Sequence, residues 1–420
     1  MKNMKTSLIS MLAVCAIGNV CAQQQAETID KRKSSTEFFK KYMKNDRGIE
    51  FVQKDSLFST QFQFRMQNRA AYQSTSESDF TPETFEFRTR RLRMKLKGFA
   101  YSPKLTYYVQ LSFSRGDMDW DGTQNDSINS SPNAVRDATI SYQFTKALKV
   151  SIGQTKLPGN RQRVVSSGDL QFADRSIVNA TFTLDRDFGF HASFDKPYYS
   201  LKGAITSGEG RNTNRSDKGL SYTGRIELLP FGRFTNNNDY IEGDLAREPK
   251  PKLSLAGTYN FNSRAQREAG QLGNDLYEFA DLQNLSVDMV FKFKGFAFYN
   301  EFCTRKSNKP ITVLSADPTE TKSSYVGYGN LTQASYLFKN NYEIAVRYAF
   351  ITPFSSIYNN PIFLNVNKKA QQHIHLGVTK YVYGHRVKLQ GNLTYQSEQD
   401  LRNDKQANQL GAIFQVELGI

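Results

Sequence analysis

The chain has 420 residues, of which 31 are Phe, 22 are Tyr and one is Trp. Its formal net charge is +15. That excess points to an anionic partner, which could be nucleic acid, lipid headgroups or a permeating anion. The three cysteines are Cys15, Cys21 and Cys303. If the first two leave with a signal peptide, an internal disulfide is excluded.

The first 22 residues have the pattern of a cleavable signal peptide. A basic start with two lysines precedes an apolar run from Leu8 to Val20, and Ala22 supplies a small residue for cleavage. The run is shorter than the ~20 apolar residues of a spanning helix. We therefore predict export and cleavage after Ala22, with lipidation of Cys15 or Cys21 as the less favoured alternative. Export argues against nucleic acid as the partner.

Residues 23–50 are predicted to form a periplasmic extension. The stretch is polar, and the piece from Ser34 to Tyr42 is compatible with a helix. Ser34 or Ser35 followed by Glu37 resembles a capping box. An alternative is a tail that is ordered only in part. We predict an extension that is partly helical or disordered.

From Phe58 onward, apolar and polar residues alternate with a period of two. Phe62, Phe64 and Met66 alternate with polar neighbours near the start, and Phe414, Val416 and Leu418 do so near the end. Successive side chains of a strand point to opposite faces, so each segment has one apolar face. A soluble β-sandwich gives the same period, with its apolar face inward.

Strand and loop lengths favour a membrane barrel over a sandwich. Several runs reach the ~10 residues with which a tilted strand crosses a bilayer. The polar faces suit a wet lumen, and short joins alternate with long polar loops, as in outer-membrane barrels. The long loops are predicted at 116–133, 157–186, 207–218, 262–280, 307–325, 352–369 and 397–408.

The predicted fold is all-β: a transmembrane antiparallel β-barrel over residues 51–420. Counting by the period gives 16 strands, with 14 or 18 as alternatives. An even count returns both termini to the periplasm. Closure pairs the first strand, 58–72, with the last, 409–420, and leaves no unpaired edge in lipid.

The densest basic stripe lies on one predicted strand. Leu92, Met94 and Leu96 would face lipid, so the basic residues between and beside them would face the lumen together. A cationic wall of this kind favours anions and excludes cations. The candidates for the anion path are Arg65, Arg69, Arg91, Arg93, Lys95, Lys97, Arg225, Arg347, Arg386 and Lys388. Alternatively, these side chains pair with Glu227, Glu343 or loop carboxylates, or keep the wall soluble.

An acidic turn is the candidate metal site. Asp117, Asp119 and Asp121 match the first half of a calcium loop, with Gly122 in sixth place, but position twelve is Ile128 where Glu is needed. The alternative is a solvated acidic turn, which could contact lipopolysaccharide through divalent ions. Because the ligand set is incomplete, we predict neither a metal nor a cofactor. No nucleophile–base pair can be assigned from spacing, so we predict no enzymatic activity.

Several motifs resemble the phosphate-selective porin O and P family. They occur in order between Phe58 and Ile420, at Phe87–Gly98, Asp137–Phe144, Val150–Pro158, Arg186–Phe190, Gly224–Phe231 and Arg347–Ala349. The resemblance implies a 16-stranded, trimer-forming anion channel whose long third external loop folds into the lumen. That loop would be 157–186 here, with Arg161, Arg163 and Arg175 at the constriction.

We predict a porin in the outer membrane of a Gram-negative bacterium. It would allow passive diffusion of small solutes with a bias toward anions such as phosphate. Its expected partners are small anionic solutes, outer-membrane lipid and lipopolysaccharide, and two further copies of itself in a homotrimer. The alternative is a barrel plugged by loop 157–186 that serves as a surface adhesin or structural scaffold.

Overall fold

The computed structural model describes residues 48–52, 57–114, 134–213, 218–360 and 369–420. The predicted signal peptide, most of the predicted extension, and Asp117, Asp119 and Asp121 lie outside these ranges. The strands are β1 (Ile49–Val52), β2 (Phe58–Ser74), β3 (Pro82–Ala100), β4 (Ser102–Ser112), β5 (Val135–Gln143), β6 (Leu148–Lys156), β7 (Arg186–Asp195), β8 (Tyr199–Thr206), β9 (Ser221–Leu228), β10 (Lys252–Arg267), β11 (Asp275–Phe293), β12 (Phe296–Ser307), β13 (Ile311–Leu314), β14 (Asp317–Ser323), β15 (Gly327–Leu337), β16 (Tyr342–Pro353), β17 (Ala370–Tyr383), β18 (Val387–Asp400) and β19 (Lys405–Gly419).

In the part of the chain that the structure describes, helical structure is confined to short pieces between strands. These are α1 (Arg161–Val164), α2 (Ile177–Phe182), α3 (Ser355–Tyr358) and a 3-10 segment, Thr235–Tyr240. Within the described ranges, no helix is long and apolar enough to cross a membrane.

Sixteen strands, β2 to β12 and β15 to β19, form a closed antiparallel barrel in chain order. Closure joins β19 to β2, with Glu417 opposite Gln67 in the register. The predicted barrel, its 16 strands and the pairing of first strand with last are confirmed, and the alternatives of 14 and 18 strands are wrong. Because the sheet closes on itself, none of these strands is left with an unpaired edge.

The two faces of the barrel strands have opposite character. On β16, the side chains of Ile344 and Val346 are 45% and 50% exposed, whereas the alternating Ala345 and Arg347 are 3% and 1% exposed. Apolar side chains therefore point outward and polar ones inward. A soluble sandwich would show the reverse, so that alternative is excluded.

Aromatic side chains ring the end of the barrel where the short turns lie. Each lies in or beside a turn and is between 38% and 83% exposed: Tyr101, Phe144, Tyr198, Phe231, Phe296, Phe338, Tyr342 and Tyr383. Aromatic rings of this kind favour the boundary between hydrocarbon and water. The belt accounts for part of the high Phe and Tyr content and marks one membrane surface.

Several strands continue past the point where the sequence pattern predicted loops. The loop predicted at 262–280 is reduced to 268–274, because β10 ends at Arg267 and β11 begins at Asp275. The predicted loop 307–325 contains the hairpin of β13 and β14. Beyond the bilayer both faces of a strand meet water, so neither face needs to be apolar. The hydrogen bonds between strands continue there, but the sequence lacks the alternation that predicts a strand.

Strand β1 extends the row of partners along β2. Gly419 of β19 pairs with Arg65, and Ile420 exchanges backbone hydrogen bonds with Phe64. β1 pairs with the preceding residues of β2, with Ile49 opposite Phe62 and Val52 opposite Ser59. The first residues of β2 are thus paired by a segment that precedes the barrel in sequence.

Candidate functional site

The connection between β6 and β7 contacts inward-facing side chains of several barrel strands. It was predicted as loop 157–186, and it ends at residue 185 because Arg186 begins β7. We call residues 157–185 the third loop. Helix α2 within it begins at Ser176, whose hydroxyl accepts a hydrogen bond from the backbone N–H of Asn179 at 3.2 Å.

On one side, the third loop is bound by an ion-pair cluster with β9 and β11. Arg161 Nε donates to Asp288 Oδ1 at 2.5 Å. Arg225 donates to Asp288 Oδ2 and to Glu227 Oε1, both at 2.7 Å. Two arginines therefore face two carboxylates, and all four side chains are almost fully buried. The positive charge of Arg161 and Arg225 is compensated within this cluster.

On the opposite side, arginines of β2 and β3 donate hydrogen bonds to the third loop. Arg65 Nη2 and Arg93 Nη1 donate to Ser167 Oγ at 2.7 and 2.8 Å. Arg69 and Arg91 both pair with Asp174 of the loop. Four of the predicted path residues thus lie together against one segment of the third loop.

Two further predicted residues hold the backbone of the third loop. Lys388 Nζ on β18 donates to the carbonyl oxygens of Gly168 and Leu170, each at 2.8 Å. Arg347 Nη1 on β16 donates to the carbonyl oxygen of Asp174 at 3.0 Å. Both side chains are buried, and they position the loop.

Apolar contacts add to these polar ones. Val178 and Phe182 of α2 pack in one buried cluster with residues of β15 and β16, including Leu331, Ala349 and Ile351. The third loop therefore contacts inward-facing side chains on strands from β2 round to β18.

A cavity of about 240 Å³ remains between the third loop and strands β3 to β7. Its lining holds seven basic side chains and one acidic side chain, Asp137. The basic ones are Arg93, Lys95, Arg136, Lys156, Arg163, Arg175 and Arg186. We call this space the cationic cavity.

Several charges in the cationic cavity are not neutralised by carboxylates. Lys156 Nζ donates to the carbonyl oxygen of Val164 at 2.7 Å, and Arg175 donates to those of Gln162 and Val165 at 2.8 and 2.7 Å. Within the described ranges, no carboxylate lies in ion-pairing distance of Lys156, Arg175 or Lys95. A carbonyl oxygen orients a cation but leaves its formal charge in place.

Asp137 in the cavity lining and Asp185 beside it each pair with an arginine. Arg186 Nε contacts Asp137 at 3.0 Å, and Arg163 Nε donates to Asp185 at 2.8 Å. Burial alone would raise the pKa of Asp185, but the guanidinium groups of Arg163 and Arg186 outweigh it and hold that pKa well below its usual range. Asp185 is therefore ionised at neutral pH.

A second cavity, of about 210 Å³, shares Arg93, Lys95 and Ser166 with the first. Its lining also contains two other predicted residues, Arg65 and Arg386, together with Asp169, His385 and Glu417. His385 and Arg386 lie in the turn after β17, so this cavity extends to the short-turn end. The two cavities therefore adjoin each other along the wall.

Sequence analysis predicted some of these residues and missed others. Alternation pointed to Arg93 and Lys95, and the family resemblance pointed to Arg163 and Arg175. Arg136, Lys156 and Arg186 were not predicted. Lys156 lies an even number of residues after the outward-facing Ile152. A strict period of two therefore predicts that the Lys156 side chain points to lipid. Gly153 has a φ of 128°, a conformation that other residues rarely adopt, and the face alternation breaks there. The signal available in the sequence was that glycine.

Lys97 is a predicted path residue that lines neither cavity. It lies further along β3, at an exposed position near the short-turn end.

Solved structures of similar fold come from Gram-negative bacteria. An anion-selective porin from Comamonas acidovorans aligns with a TM-score of 0.56 at 12% identity, covering 86% of this chain and 100% of that one. The outer membrane channel DcaP of Acinetobacter baumannii gives 0.53 at 10% identity, covering 89% and 100%. OmpT of Vibrio cholerae in a trimer form gives 0.50 at 9% identity, covering 86% and 99%. At these identities the likeness shows the fold.

Sequence comparison gives the family. No curated protein sequence matches the chain. The family model for phosphate-selective porin O and P matches residues 62–292, which is more than half of the chain. Family and fold together point to a channel in the Gram-negative outer membrane and not to an enzyme. The chain belongs to the phosphate-selective porin O and P family.

Proposed function

We propose that this outer-membrane channel lets small anions such as phosphate diffuse through the cationic cavity and the cavity next to it. In this proposal the third loop folds into the lumen and forms the inner wall of the passage. The observation that carries it is the lining of the cationic cavity, with seven basic side chains and one acidic one.

Charge and hydrogen-bond donors act together in such a passage. A cationic wall raises the local concentration of anions and repels cations. The guanidinium groups of Arg93, Arg136 and Arg186 can replace water around an oxyanion through paired N–H donors. Conduction also requires that an anion leaves, and a second cationic site in the adjoining cavity lets it pass on stepwise.

The predicted basic residues divide into two groups under this proposal. Arg65, Arg93, Lys95, Arg163, Arg175 and Arg386 belong to the passage, with Lys97 at its rim, and Arg136, Lys156 and Arg186 join them. Arg69, Arg91, Arg161, Arg225, Arg347 and Lys388 fix the third loop and the wall. The second group is distinguished by lining neither cavity, and each of its side chains has a carboxylate or loop-backbone partner.

The test is the reversal potential of the purified protein in a planar lipid bilayer under a potassium chloride gradient. We expect a potential of the sign that marks chloride as the more permeant ion. A potential of the opposite sign would overturn the anion preference. An absence of conductance would instead support the alternative, a plugged barrel that serves as an adhesin or scaffold.

We further propose that the protein assembles as a homotrimer, with its remaining outward surface against lipid and lipopolysaccharide. Support comes from the trimer form of the Vibrio cholerae OmpT structure, whose fold this chain shares. The mass of the complex in detergent, corrected for bound detergent by light scattering, tests the proposal. A monomer mass at micromolar concentration would contradict it.

A further inference from the structure

One connection at the short-turn end is much longer than its neighbours. The segment between β9 and β10, residues 229–251, has 23 residues. The other described connections at that end have at most four, as between β5 and β6 and between β15 and β16. We call residues 229–251 the lower loop.

The lower loop is fixed to the inner wall of the barrel. Lys292 Nζ on β11 donates to the carbonyl oxygens of Asn238 and Ile241 at 2.5 and 2.6 Å. Asp244, which is fully buried, accepts from the backbone N–H of Gly295 at 2.8 Å. The lower loop is therefore held at several points, by a buried side chain of β11 and by the turn that follows this strand.

The tip of the lower loop meets the third loop, which comes from the opposite end. The backbone N–H of Glu242 donates to the carbonyl oxygen of Asp169 at 2.8 Å, and Glu242 Oε2 accepts from the backbone N–H of Gln171 at 3.0 Å. Arg161 also donates to the carbonyl oxygen of Asp239 at 3.1 Å. These contacts tie the two loops together by backbone and side chain.

The space left where the two loops meet the wall is very small. A cavity lined by Arg161, Asp239, Glu242 and residues of β11 and β12 measures about 20 Å³, enough for roughly one water molecule. The two cavities on the other side of the third loop measure about 240 and 210 Å³. These two larger cavities lie beside β2 to β7 and not beside β11 and β12.

The wall behind the two loops has no excess of either sign. Strands β9, β11, β12 and β16 contribute four buried carboxylates and four buried basic groups there: Glu227, Asp288, Glu301 and Glu343, and Arg225, Lys292, Arg305 and Arg347. A passage opened along this wall would lack the charge bias of the cationic cavity.

We propose that the lower loop is a second selectivity element, which enters from the short-turn end, closes the charge-balanced part of the lumen and confines solutes to the cationic passage. This inference rests on the proposed function, because that proposal places the third loop in the lumen. In this proposal, selectivity depends on both loops. The third loop lines the cationic passage, and the lower loop closes the charge-balanced part of the lumen.

A variant with a shortened lower loop tests this proposal. Leu228 and Leu255 are already paired across β9 and β10. Residues 231–251 can therefore be replaced by a four-residue turn that contains Gly and Asn. We expect single-channel conductance to rise at least about twofold, since one of two obstructions is gone, and anion preference to fall. Unchanged conductance and preference in a folded variant would overturn the proposal.

A matched control shortens the hairpin of β13 and β14 by the same replacement at 313–321, which should leave conductance unchanged. If the first variant does not fold, the double variant Asp239→Ala with Glu242→Ala removes the side-chain contacts between the loops, those of Glu242 with Gln162 and Gln171 and that of Asp239 with Arg161. That variant should show brief openings of larger conductance, and a single unchanged level would count against the proposal. A wild-type channel without anion preference would defeat the proposed function, while a conductance rise in the shortened variant would still support this inference.

Discussion

At the scale of single residues, basic side chains of the barrel wall differ in the partners that they meet. Arg225 is buried and Lys156 is half-buried. Arg225 faces the carboxylates of Glu227 and Asp288, whereas Lys156 faces carbonyl oxygens. The contacts of Arg225 compensate its charge, whereas the carbonyl oxygens around Lys156 supply no compensating negative charge. The sequence shows both residues as basic, but it does not show which partner each will meet.

Reversing one charge in the passage should change ion preference. In Lys95→Glu, a carboxylate replaces an ammonium group that lines both cavities. We expect the permeability ratio of chloride to potassium to fall at least about threefold, equivalent to ~0.7 kcal/mol. Lys339→Glu, at an exposed turn after β15, makes the same charge change outside the passage and serves as the control. Equal shifts in both variants would remove Lys95 from the passage.

Removing a compensated arginine should affect stability instead. Arg225→Ala leaves Glu227 and Asp288 short of a partner in a buried site, which typically costs about 3–5 kcal/mol. We expect a lower urea midpoint by circular dichroism and an unchanged reversal potential. Arg233→Ala, whose partner Asp195 is exposed, should cost at most about 1 kcal/mol. A shift in selectivity without loss of stability would place Arg225 in the passage.

At the scale of elements, the third loop and the lower loop differ in how well the sequence predicts them. The third loop stands out because it is long, lies at the expected end and carries three arginines. The lower loop follows a strand end where a short turn is the rule. Its path depends on residues with positive φ, Asn236, Asn237 and Arg247, and on contacts with β11 that no local pattern indicates.

The third loop should become less rigid when its backbone supports are removed. Lys388→Met deletes the donor to the carbonyl oxygens of Gly168 and Leu170. We expect greater current noise in the open channel, with the mean conductance changed little. Lys380→Met also deletes a donor to a carbonyl oxygen, that of Asn340, but at an exposed site, so its noise should match wild type. Quiet currents in both variants would show that Lys388 does not hold the loop.

At the scale of the whole molecule, the fold was predictable because it depends on a repeated pattern. Alternation repeats in nearly every strand, so errors at single positions leave the count of 16 unaffected. The loop ends were less predictable, as the extension of β10 and β11 shows. The two cavities were least predictable, because they are the space left over after two loops have packed against distant strands.

The charge of the passage also predicts how ion preference varies with salt. The screening length is about 10 Å at 0.1 M salt and about 3 Å at 1 M. If long-range attraction by the cationic wall sets the preference, the chloride-to-potassium permeability ratio should fall as mean salt rises over that range. Reversal potentials at a fixed concentration ratio measure this. A constant ratio would mean that direct coordination or size sets the preference.

The pairing of β1 with β2 bears on how the barrel is protected where it closes. Many proteins bind an extended peptide by strand addition, in which the guest completes the hydrogen bonds of an exposed strand. Here the chain supplies its own guest: Ile49–Val52 occupies the template that β2 presents between Ser59 and Phe62. Truncation before Gly48 would leave this self-complementation intact, whereas truncation after Val52 would offer the vacant template to a strand from another molecule.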